Sequence, residues 1–521
     1  MDTDVLIVGA GPTGLMLANQ LARQGVSLRI IDRHGGPSRE TRALGVQART
    51  LELYAKLGIV DRAIELGKRG TGANIWANGQ HMARVPLGET GRKVTPYPYI
   101  LILGQDDNEQ IMGDRLSELG VAVEWNTELV GLSQEPDNVT ARLKLADGSS
   151  RDVQAGWIAG CDGAHSAVRG LTSIGFPGAP YEHVFFVADT EATGNMVVDE
   201  VNVYLWQTGF HLLFPMRGED HWRIVGILPP ELRQKDGLTF EAVVPSLKQE
   251  AGDGLTIKSC SWFSTYRIHH RCASHFRDRR CFLLGDAAHI HSTVGAQGMN
   301  TGIQDAYNLA WKLALVVKGQ ADVALLDSYE QERLPNARRL LNSTDRAFRL
   351  IVSDNWFAVR LRTKILARIA AVAMSFEWLQ KIAFRTVSQI GISYRDSPLS
   401  KSLVGMPSRA PLAGDRFPWL KLKFHADGPI TDSFETLDDT QFNLIVIGQR
   451  SPPAGEYGLG NLLRIHPLPA NPVNDRELER ARIPQPSFYL LRPDGHVGLC
   501  GTRLDSASVR QYLAENFHLA A

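Results

Sequence analysis

The sequence predicts an α/β fold with a Rossmann-like first unit, an inserted mixed β-sheet, a helical segment and a C-terminal α/β unit. Three observations predict this fold. The first 32 residues read as strand, glycine-rich turn, helix and strand; residues 175–275 are rich in short β-like runs; and Cys281–Leu284 is a buried strand followed by a helix. At about 150 residues per domain, 521 residues correspond to roughly three domains. We place the units at residues 1–174, 175–275, 276–400 and 401–521, with strands near 73–104 joining the inserted sheet.

The composition is that of an ordinary globular protein. Hydrophobic residues make up 44% and charged residues 21% of the chain, and 56 Lys and Arg balance 56 Asp and Glu. A chain with a formal net charge of zero is not drawn as a whole to nucleic acid or to an acidic membrane. We therefore expect no nucleic-acid partner.

The cysteines and the N-terminus predict a cytoplasmic location. The chain enters a strand almost at once, without the basic and apolar regions of a signal peptide, and no run reaches about 18 uncharged apolar residues. The five cysteines form no CxxC pair and no zinc-like spacing, and their odd number suits a reducing compartment. They are Cys161, Cys260, Cys272, Cys281 and Cys500.

The first unit carries the pattern of a dinucleotide-binding turn. Val5–Val8 is a short apolar run typical of a buried parallel strand, and Leu15–Gln24 reads as a helix. The G-x-G-x-x-G turn between them permits close approach of the backbone to a pyrophosphate at the helix N-terminus, with glycines at Gly9, Gly11 and Gly14. Asp32 follows the strand Leu28–Ile31, where a carboxylate can accept a hydrogen bond from an adenosine ribose. The pattern predicts a bound dinucleotide but does not choose between FAD and NAD.

Alternating and apolar runs predict the elements of the remaining units. Val139–Leu145 alternates with period two and is followed by an Asp147-Gly148 turn. Apolar residues at helical spacing from Ile303 to Ala314 predict a helix with one core face, and residues 327–390 read as mostly helical. Further predicted strands are Val201–Trp206, His211–Phe214, Trp222–Ile227, Asn443–Ile447 and Ser487–Leu491.

Two later motifs favour a flavin over a nicotinamide. One is Asp162–Arg169, with the sequence DGAHSAVR. The other is Gly285–His289, GDAAH, which ends a buried strand and is followed by GAQGMN at 295–300. A flavin needs a diphosphate cradle and donors near its pyrimidine ring, because that ring becomes anionic on reduction and N–H groups at a helix N-terminus stabilise it.

These three motifs, in this order and spacing, resemble those of the single-component flavoprotein aromatic hydroxylases, such as the para-hydroxybenzoate, phenol and polyketide-tailoring hydroxylases. The resemblance covers residues 1 to about 345. It implies an FAD-binding domain made of 1–174 and 276–400 and a substrate-binding sheet domain at 175–275. Residues 401–521 resemble the thioredoxin-like domain of the phenol-hydroxylase branch; they carry no CxxC, so we expect a role in packing or dimerisation.

The resemblance also implies an activity. FAD is expected to be held tightly and without a covalent bond, and NAD(P)H to bind transiently and reduce it. The reduced flavin then reacts with O2, and a flavin hydroperoxide hydroxylates a small phenolic or polyketide-like aromatic substrate. A homodimer is also implied.

The family's cofactor-binding roles carry over onto matching positions. The glycine turn, with the backbone of Pro12 and Thr13, is expected to hold the pyrophosphate. Asp32 and Arg33 are expected at the adenosine, Arg42 near the pyrophosphate or flavin, and Asp162 at both FAD and the reductant. The remaining expected contacts are Gln105 at the ribityl or phosphate region, Leu129 at the adenine, Asp286 at the ribityl hydroxyls, and Gly298, Met299 and Asn300 at the flavin ring.

One departure from the family lies in the predicted oxygen-transfer pocket. Relatives usually have Pro at the position of Thr293 and often Gly at that of Ala296. This Pro lines the pocket, so Thr293 is a candidate catalytic position whose change could alter substrate orientation or coupling.

Candidate substrate-binding and catalytic side chains lie on the predicted strands of the inserted sheet. Tyr204 and Trp206 could stack on an aromatic substrate, and His211 and Arg223 could bind a phenolate and serve catalysis. Alternation along a strand does not tell which face is inward, so each could equally be a core or a solvent-facing residue.

Other hypotheses stay open at this point. The same fold hosts Baeyer–Villiger and epoxidising enzymes, and a flavin-binding protein without turnover is a third possibility. His289 and His291 invite a metal interpretation, but without a third ligand nearby we expect no metal. The basic stretch Trp356–Arg385 could lie on a membrane, although its apolar positions favour packing against other helices.

Overall fold

The computed structural model describes residues 1–38, 43–77, 79–206, 209–235, 237–251, 254–291, 297–352, 376–453 and 455–517, with the backbone alone at 206, 250–251 and 346–352. Arg42, Thr293 and Ala296 therefore lie outside the described residues, as does most of Trp356–Arg385. No helix in these ranges is long and apolar enough to cross a membrane.

The strands of the described residues are numbered in chain order. They are β1 (Thr3–Val8), β2 (Leu28–Ile31), β3 (Gly45–Val46), β4 (Lys68–Gly70), β5 (Ala73–Ala77), β6 (Gln80–Val85), β7 (Ile100–Ile102), β8 (Val123–Glu124), β9 (Glu128–Gln134), β10 (Val139–Lys144), β11 (Ser150–Gly160), β12 (Gly178–Gly194), β13 (Val201–Trp206), β14 (Gly209–Pro215), β15 (His221–Ile227), β16 (Leu255–Cys272), β17 (Arg277–Asp278), β18 (Cys281–Leu283), β19 (His289–Ile290), β20 (Lys401–Ser402), β21 (Lys421–Leu422), β22 (Thr431–Asp432), β23 (Phe442–Ile447), β24 (Leu463–Leu468), β25 (Ser487–Leu491) and β26 (Val497–Gly501).

The helices are numbered in the same way. They are α1 (Pro12–Arg23), α2 (Ala48–Leu57), α3 (Val60–Leu66), α4 (Leu87–Gly91), α5 (Gln105–Glu118), α6 (Ala167–Leu171), α7 (Val244–Ala251), α8 (Gly298–Val317), α9 (Asp327–Val352), α10 (Glu377–Val387), α11 (Ser433–Thr436), α12 (Pro472–Arg480) and α13 (Ser506–Phe517). Short 3-10 turns lie at Pro230–Leu232, Phe240–Ala242, Gly285–Ala287, Val323–Leu326 and Gly460–Leu462.

The first sheet is the Rossmann-like part of the fold. Its strands run in the order β17-β18-β11-β1-β2-β8, and β10 and β9 extend it from β11. Strands β18, β11, β1, β2 and β8 are parallel neighbours. Parallel strands covered by helices on both faces are apolar throughout, and β1 is accordingly almost fully buried. The carboxyl ends of these strands therefore meet along one edge of the sheet.

The second sheet, with the order β19-β16-β12-β15-β14-β13-β5-β6, stands over that edge. One of its faces packs on α7 and on the 3-10 turn at Phe240, around Phe186, Leu213 and Ile224. The other face carries Phe214, Val225 and further apolar residues toward the first sheet. Of residues 73–104, β5 and β6 join this sheet, whereas β7 pairs with β3 and β4 in a small separate sheet.

The C-terminal unit contains a mixed sheet of order β20-β26-β25-β23-β24. Its core includes Trp311 and Leu315 of α8, so the unit and the long helix share one apolar cluster. A group of buried charges crosses the same boundary: Glu332 of α9 accepts hydrogen bonds from Lys312 Nζ at 2.8 Å and from Arg492 Nη1 at 2.5 Å. Apolar and ionic contacts together join this unit to the first.

Candidate active site

A cavity of about 1270 Å³ lies between the carboxyl edge of the first sheet and the apolar face of the second. Four neighbouring parallel strands end at this cavity: β1 at Val8, β2 at Ile31, β11 at Gly160 and β18 at Leu283. Ligands of open parallel sheets bind in the crevice at this edge. The residues that follow those strands and line the cavity are Gly9, Gly11, Asp32, Asp162 and Asp286.

The glycine turn has the shape of an anion cradle. Gly9 has a φ of +104°, and a methyl group there would overlap the Cys161 carbonyl. A methyl group at Gly14 would overlap the Gly9 carbonyl, so Gly14 allows α1 to pack closely on the turn. A methyl group at Gly11 would instead face open space, with Glu109 Oε1 as the nearest atom at 3.9 Å. The N-terminus of α1, with its free N–H groups, therefore opens into the cavity beside Gly11, as a diphosphate requires.

Asp32 ties the turn to the end of β2. Its Oδ2 accepts a hydrogen bond from the Ala10 amide at 2.8 Å, and its Oδ1 accepts one from the His34 amide at 2.9 Å. Arg33 and Leu129 line the same end of the cavity. The three residues expected at the adenosine are therefore brought together.

Asp162 lines the cavity and has one buried carboxylate oxygen. Its Oδ2 accepts hydrogen bonds from the amides of Ala167 at 2.6 Å and Val168 at 3.2 Å. Its Oδ1 is buried and makes no hydrogen bond within the described part of the chain. Burial raises the pKa of this carboxyl. The carboxyl group of Asp162 lies at the cavity wall, where a carboxylate can accept a hydrogen bond from a ligand hydroxyl such as those of the ribityl chain of FAD.

Asp286 and the start of α8 form the next part of the wall. The Asp286 side chain opens onto the cavity, and desolvation by the protein around it raises the pKa of its carboxyl. Gly298 and Met299 also line the cavity. Asn300 is fully buried instead: its Oδ1 accepts from the Gln47 amide at 2.9 Å and its Nδ2 donates to the Gly45 carbonyl at 2.7 Å. Asn300 thus fixes the position of α8, and nothing places it at the flavin itself.

Glu109 is a cavity residue that the sequence reasoning missed. It lies one turn after Gln105 on α5, and its Oε1 accepts a hydrogen bond from Gln105 Nε2 at 2.8 Å. Its Oε2 accepts one from the Ser38 amide at 2.8 Å, which ties the loop after β2 to α5. Burial raises the pKa of Glu109. Glu109 stands four residues after Gln105 and so lies on the same face of the helix, which is the sequence feature that could have identified it.

The second sheet supplies an apolar wall. Leu212 and Phe214 of β14, Val225 of β15 and Tyr266 of β16 line the cavity. Strand register places Leu212 directly beside Val225, so these side chains form one continuous surface. None of these four residues was singled out from the sequence, because the alternation did not reveal which face points inward.

The residues proposed from the sequence on these strands are divided between the two faces. His211 and Tyr204 pair with each other across β14 and β13 and point away from the cavity. His211 packs on Phe186 with ring centroids 5.6 Å apart, and Tyr204 stacks on Trp76 at 5.5 Å. This placement favours packing roles over the substrate and catalytic roles expected for Tyr204 and His211.

Arg223 lies on the cavity side but is already paired. It shares a row of the sheet with Phe214, and its guanidinium forms a two-pronged ion pair with Asp189, with Nη2 and Oδ2 2.5 Å apart. Trp262 stacks on this guanidinium at 5.6 Å. Arg223 therefore borders the apolar wall without lining it. The side chain of Trp206 lies outside the described residues.

Of the two histidines considered as metal ligands, His289 is held within the fold and His291 lines the cavity. His289 Nε2 lies 2.7 Å from Asp305 Oδ2, and Arg333 Nε donates to the other carboxylate oxygen at 2.6 Å. Burial raises the pKa of the Asp305 carboxyl, but Arg333 and the hydrogen bond with His289 outweigh it, so that this pKa is lowered. Among the described residues, no group of three or more His, Cys, Asp or Glu side chains is placed to hold a metal ion.

Comparisons with known proteins agree with this geometry. Residues 2–344 match the family described as FAD binding domain. The 6-methylpretetramide 4-monooxygenase of Streptomyces rimosus is 36% identical over 403 residues, which cover 76% of this chain and 71% of that protein. The pentachlorophenol 4-monooxygenase of Sphingobium chlorophenolicum is 31% identical over 500 residues, covering 95% and 86%.

Solved structures extend the likeness to the whole chain. Aklavinone-11 hydroxylase, determined as a ternary complex with FAD and aklavinone, has a TM-score of 0.80 and 25% identity, and the match covers 99% of both chains. The cradle at the carboxyl edge, the family match and these relatives agree on the cofactor and on the type of reaction. The chain therefore belongs to the FAD binding domain family and is an FAD-dependent monooxygenase.

Proposed function

We propose that this protein hydroxylates a phenolic or polyketide-like aromatic compound, with NAD(P)H as the electron donor and O2 as the oxygen source. The observation that carries the proposal is one continuous cavity with two unlike ends. One end has a glycine cradle and carboxylates that include Asp32, Asp162 and Asp286, and the other has an apolar wall formed by Leu212, Phe214, Val225 and Tyr266. A dinucleotide fits the first end and an aromatic ring the second.

The residues of the chain have distinct tasks in this proposal. FAD, when bound, supplies the electron transfer and the activation of oxygen. The amides of the glycine turn hold its diphosphate, Asp32 its adenosine ribose, and Asp162 and Asp286 its ribityl hydroxyls. The amides at the start of α8 face the ring system, where they stabilise negative charge. The apolar wall orients the aromatic substrate and excludes water.

The relatives support the substrate class. Their names refer to a pretetramide and a pentachlorophenol, and the ternary complex holds aklavinone. The chain shows a single G-x-G-x-x-G turn after a strand, so we propose that NAD(P)H binds transiently and leaves after reduction.

Further proposals concern the C-terminal unit and the location of the protein. The sheet order β24-β23-β25-β26, with one parallel pair followed by two antiparallel pairs, supports a thioredoxin-like unit. Without a CxxC, we assign it to packing or to formation of a homodimer. All five cysteines are free thiols, which supports a cytoplasmic location.

The proposal is tested by aerobic oxidation of NAD(P)H by the purified flavoprotein, with and without a panel of phenols and aromatic polyketides. We expect one class of compound to accelerate oxidation strongly, with little hydrogen peroxide released and a product one oxygen atom richer. Oxidation that no aromatic compound accelerates would contradict the proposal. An oxygen inserted beside a ketone, or an epoxide, would identify a Baeyer–Villiger or epoxidising enzyme instead.

A pair of tyrosine variants tests which face of the second sheet contacts the substrate. Tyr266→Phe removes a hydroxyl on the cavity side, and we expect the KM for the aromatic substrate to rise about threefold to tenfold, the effect of one hydrogen bond. Tyr204→Phe removes a hydroxyl on the opposite face, so its KM should equal that of the wild type. Steady-state kinetics on both variants make the comparison, and the reverse pattern would assign the substrate to the other face.

A further inference from the structure

Gln389 is a buried residue in a backbone conformation that glutamine rarely adopts. It follows Ser388, the last residue of the helical turn that ends α10, and its φ is +58°. This left-handed position after a helix is usually taken by glycine or asparagine, because other side chains strain the backbone there. The side chain is only 4% exposed. A strained, buried glutamine implies that its side chain has a task.

Within the described residues, the hydrogen bonds of the Gln389 side-chain amide go to the first two turns of α8 or to the residue just before it. Its Nε2 donates to Thr301 Oγ1 at 3.0 Å and, more weakly, to the Gln297 carbonyl at 3.4 Å. Its Oε1 accepts a hydrogen bond from Gln304 Nε2 at 2.6 Å. Thr301 Oγ1 itself donates to the Gln297 carbonyl at 2.8 Å. Gln389 thus completes a buried hydrogen-bond network around the point where α8 begins.

This point is where the helix meets the cavity. Gln297, Gly298 and Met299 line the cavity, and Gln297 caps α8 without a side-chain hydrogen bond to the helix. Asn300 anchors the same turn on the opposite side, through the Gly45 carbonyl and the Gln47 amide. The first turn of α8 is therefore held from two directions, by β3 and α2 through Asn300 and by the end of α10 through Gln389.

We infer that Gln389 is a positioning residue that sets the direction of the α8 N-terminal amides toward the flavin ring. The inference rests on the proposed placement of the flavin against Gly298 and Met299. Those amides stabilise the reduced, anionic ring only if they point at it, because a dipole's effect falls off within the first turn of a helix. Gln389 acts through α8 and does not itself touch the cavity.

The variant Gln389→Gly tests whether Gln389 positions the start of α8 or only ends α10. Glycine suits the left-handed conformation, so relief of strain should offset part of the lost hydrogen bonds, and the protein without FAD should unfold near the wild-type temperature. The first turn of α8 then loses its anchor at the end of α10 and keeps the one through Asn300. We expect the Kd for FAD to rise about fivefold to tenfold and the midpoint potential of the bound flavin to become more negative.

Arg482→Gly is the matched control. Arg482 has a φ of +58° and follows the end of α12 in the same way, but its side chain is exposed and α12 belongs to the C-terminal unit. This variant should leave both the Kd for FAD and the midpoint potential unchanged. Fluorescence titration of FAD, thermal unfolding and a dye-equilibrated reductive titration provide the readouts.

Two outcomes overturn the inference in distinguishable ways. If Gln389→Gly binds FAD and sets its potential as the wild type does, Gln389 merely ends a helix, and the proposed function stands. If the wild-type protein itself fails to bind FAD, the proposed cofactor site is wrong, and the role of Gln389 is wrong with it.

Discussion

Replacing Gly11 with leucine should abolish FAD binding while leaving the fold intact. A side chain at Gly11 points into the cavity, where the nearest atom to an added methyl group is Glu109 Oε1 at 3.9 Å. The Cβ of the leucine is therefore accommodated, and its side chain fills the space where the diphosphate meets the amides of α1. We expect the Kd for FAD to rise on the order of 100-fold or more, equal to about 2.7 kcal/mol. Absorbance of the purified protein and fluorescence titration measure the loss.

Gly113→Leu is the matched control for this experiment. Gly113 lies on α5, also has open space around it, and does not line the cavity. Both variants should show far-UV circular dichroism like that of the wild type, but only Gly11→Leu should lose the yellow cofactor. Normal FAD affinity in Gly11→Leu would rule out the glycine turn as the diphosphate site.

Of the substitutions proposed for this protein, Glu332→Gln should lower the free energy of unfolding the most. Glu332 is fully buried between Lys312 and Arg492, and Asn308 Nδ2 at 2.6 Å and Ser397 Oγ at 2.7 Å also donate to it. Removing its charge leaves two buried cations with Asp494 as their shared partner. Breaking a buried ion pair from one side costs about 3–5 kcal/mol, so the free energy of unfolding should fall by about that amount. Urea unfolding of the wild type and the variant measures it.

Lowering the pH should reproduce part of this loss of stability in the wild type. The cations beside Glu332 hold its pKa at about 2, below the ordinary value of 4.5. The unfolded chain therefore binds this proton first as the pH falls. The stabilisation from Glu332 is complete above about pH 4.5 and is lost as the pH approaches 2. Glu332→Gln should show a flatter pH profile over this range.

Glu515→Gln serves as the control for both measurements. Glu515 forms an exposed ion pair with Lys401 at 3.4 Å, and exposed pairs contribute less than about 1 kcal/mol. Its unfolding should match that of the wild type. Equal stability of Glu332→Gln and the wild type would mean that the buried charges do not hold the C-terminal unit in place.

The features that could be predicted from the sequence are local ones. The strand, turn and helix around Gly9 and the acid at Asp32 depend on residues within about one βαβ unit, so spacing alone identifies them. The helix predicted from Ile303 to Ala314 is the middle of α8, because helical periodicity marks a face that must be buried. Asp162 and Asp286 could be placed at the same edge because both follow buried parallel strands.

The features that could not be predicted depend on pairing between distant segments. Alternation along β13 and β14 gives two faces but does not say which one meets the cavity. Tyr204 and His211, the candidates proposed from these strands, lie on the face away from it. Leu212 and Val225 looked like ordinary strand residues, although they form the wall. Glu332 and Arg492 stand 160 positions apart, and no local pattern links them.

The buried charges between α9 and β25 also bear on how the chain folds during synthesis. Lys312 and Glu332 emerge from the ribosome long before Arg492, which follows Glu332 by 160 residues. At about 5–20 residues per second, this interval is roughly 10–30 s. During that time the partners of Trp311 and of the charge cluster in the C-terminal unit have not yet been synthesised. The apolar and ionic contacts of α8 and α9 with β25 therefore form only after this interval, and a chaperone that shields α8 would have its greatest effect within it.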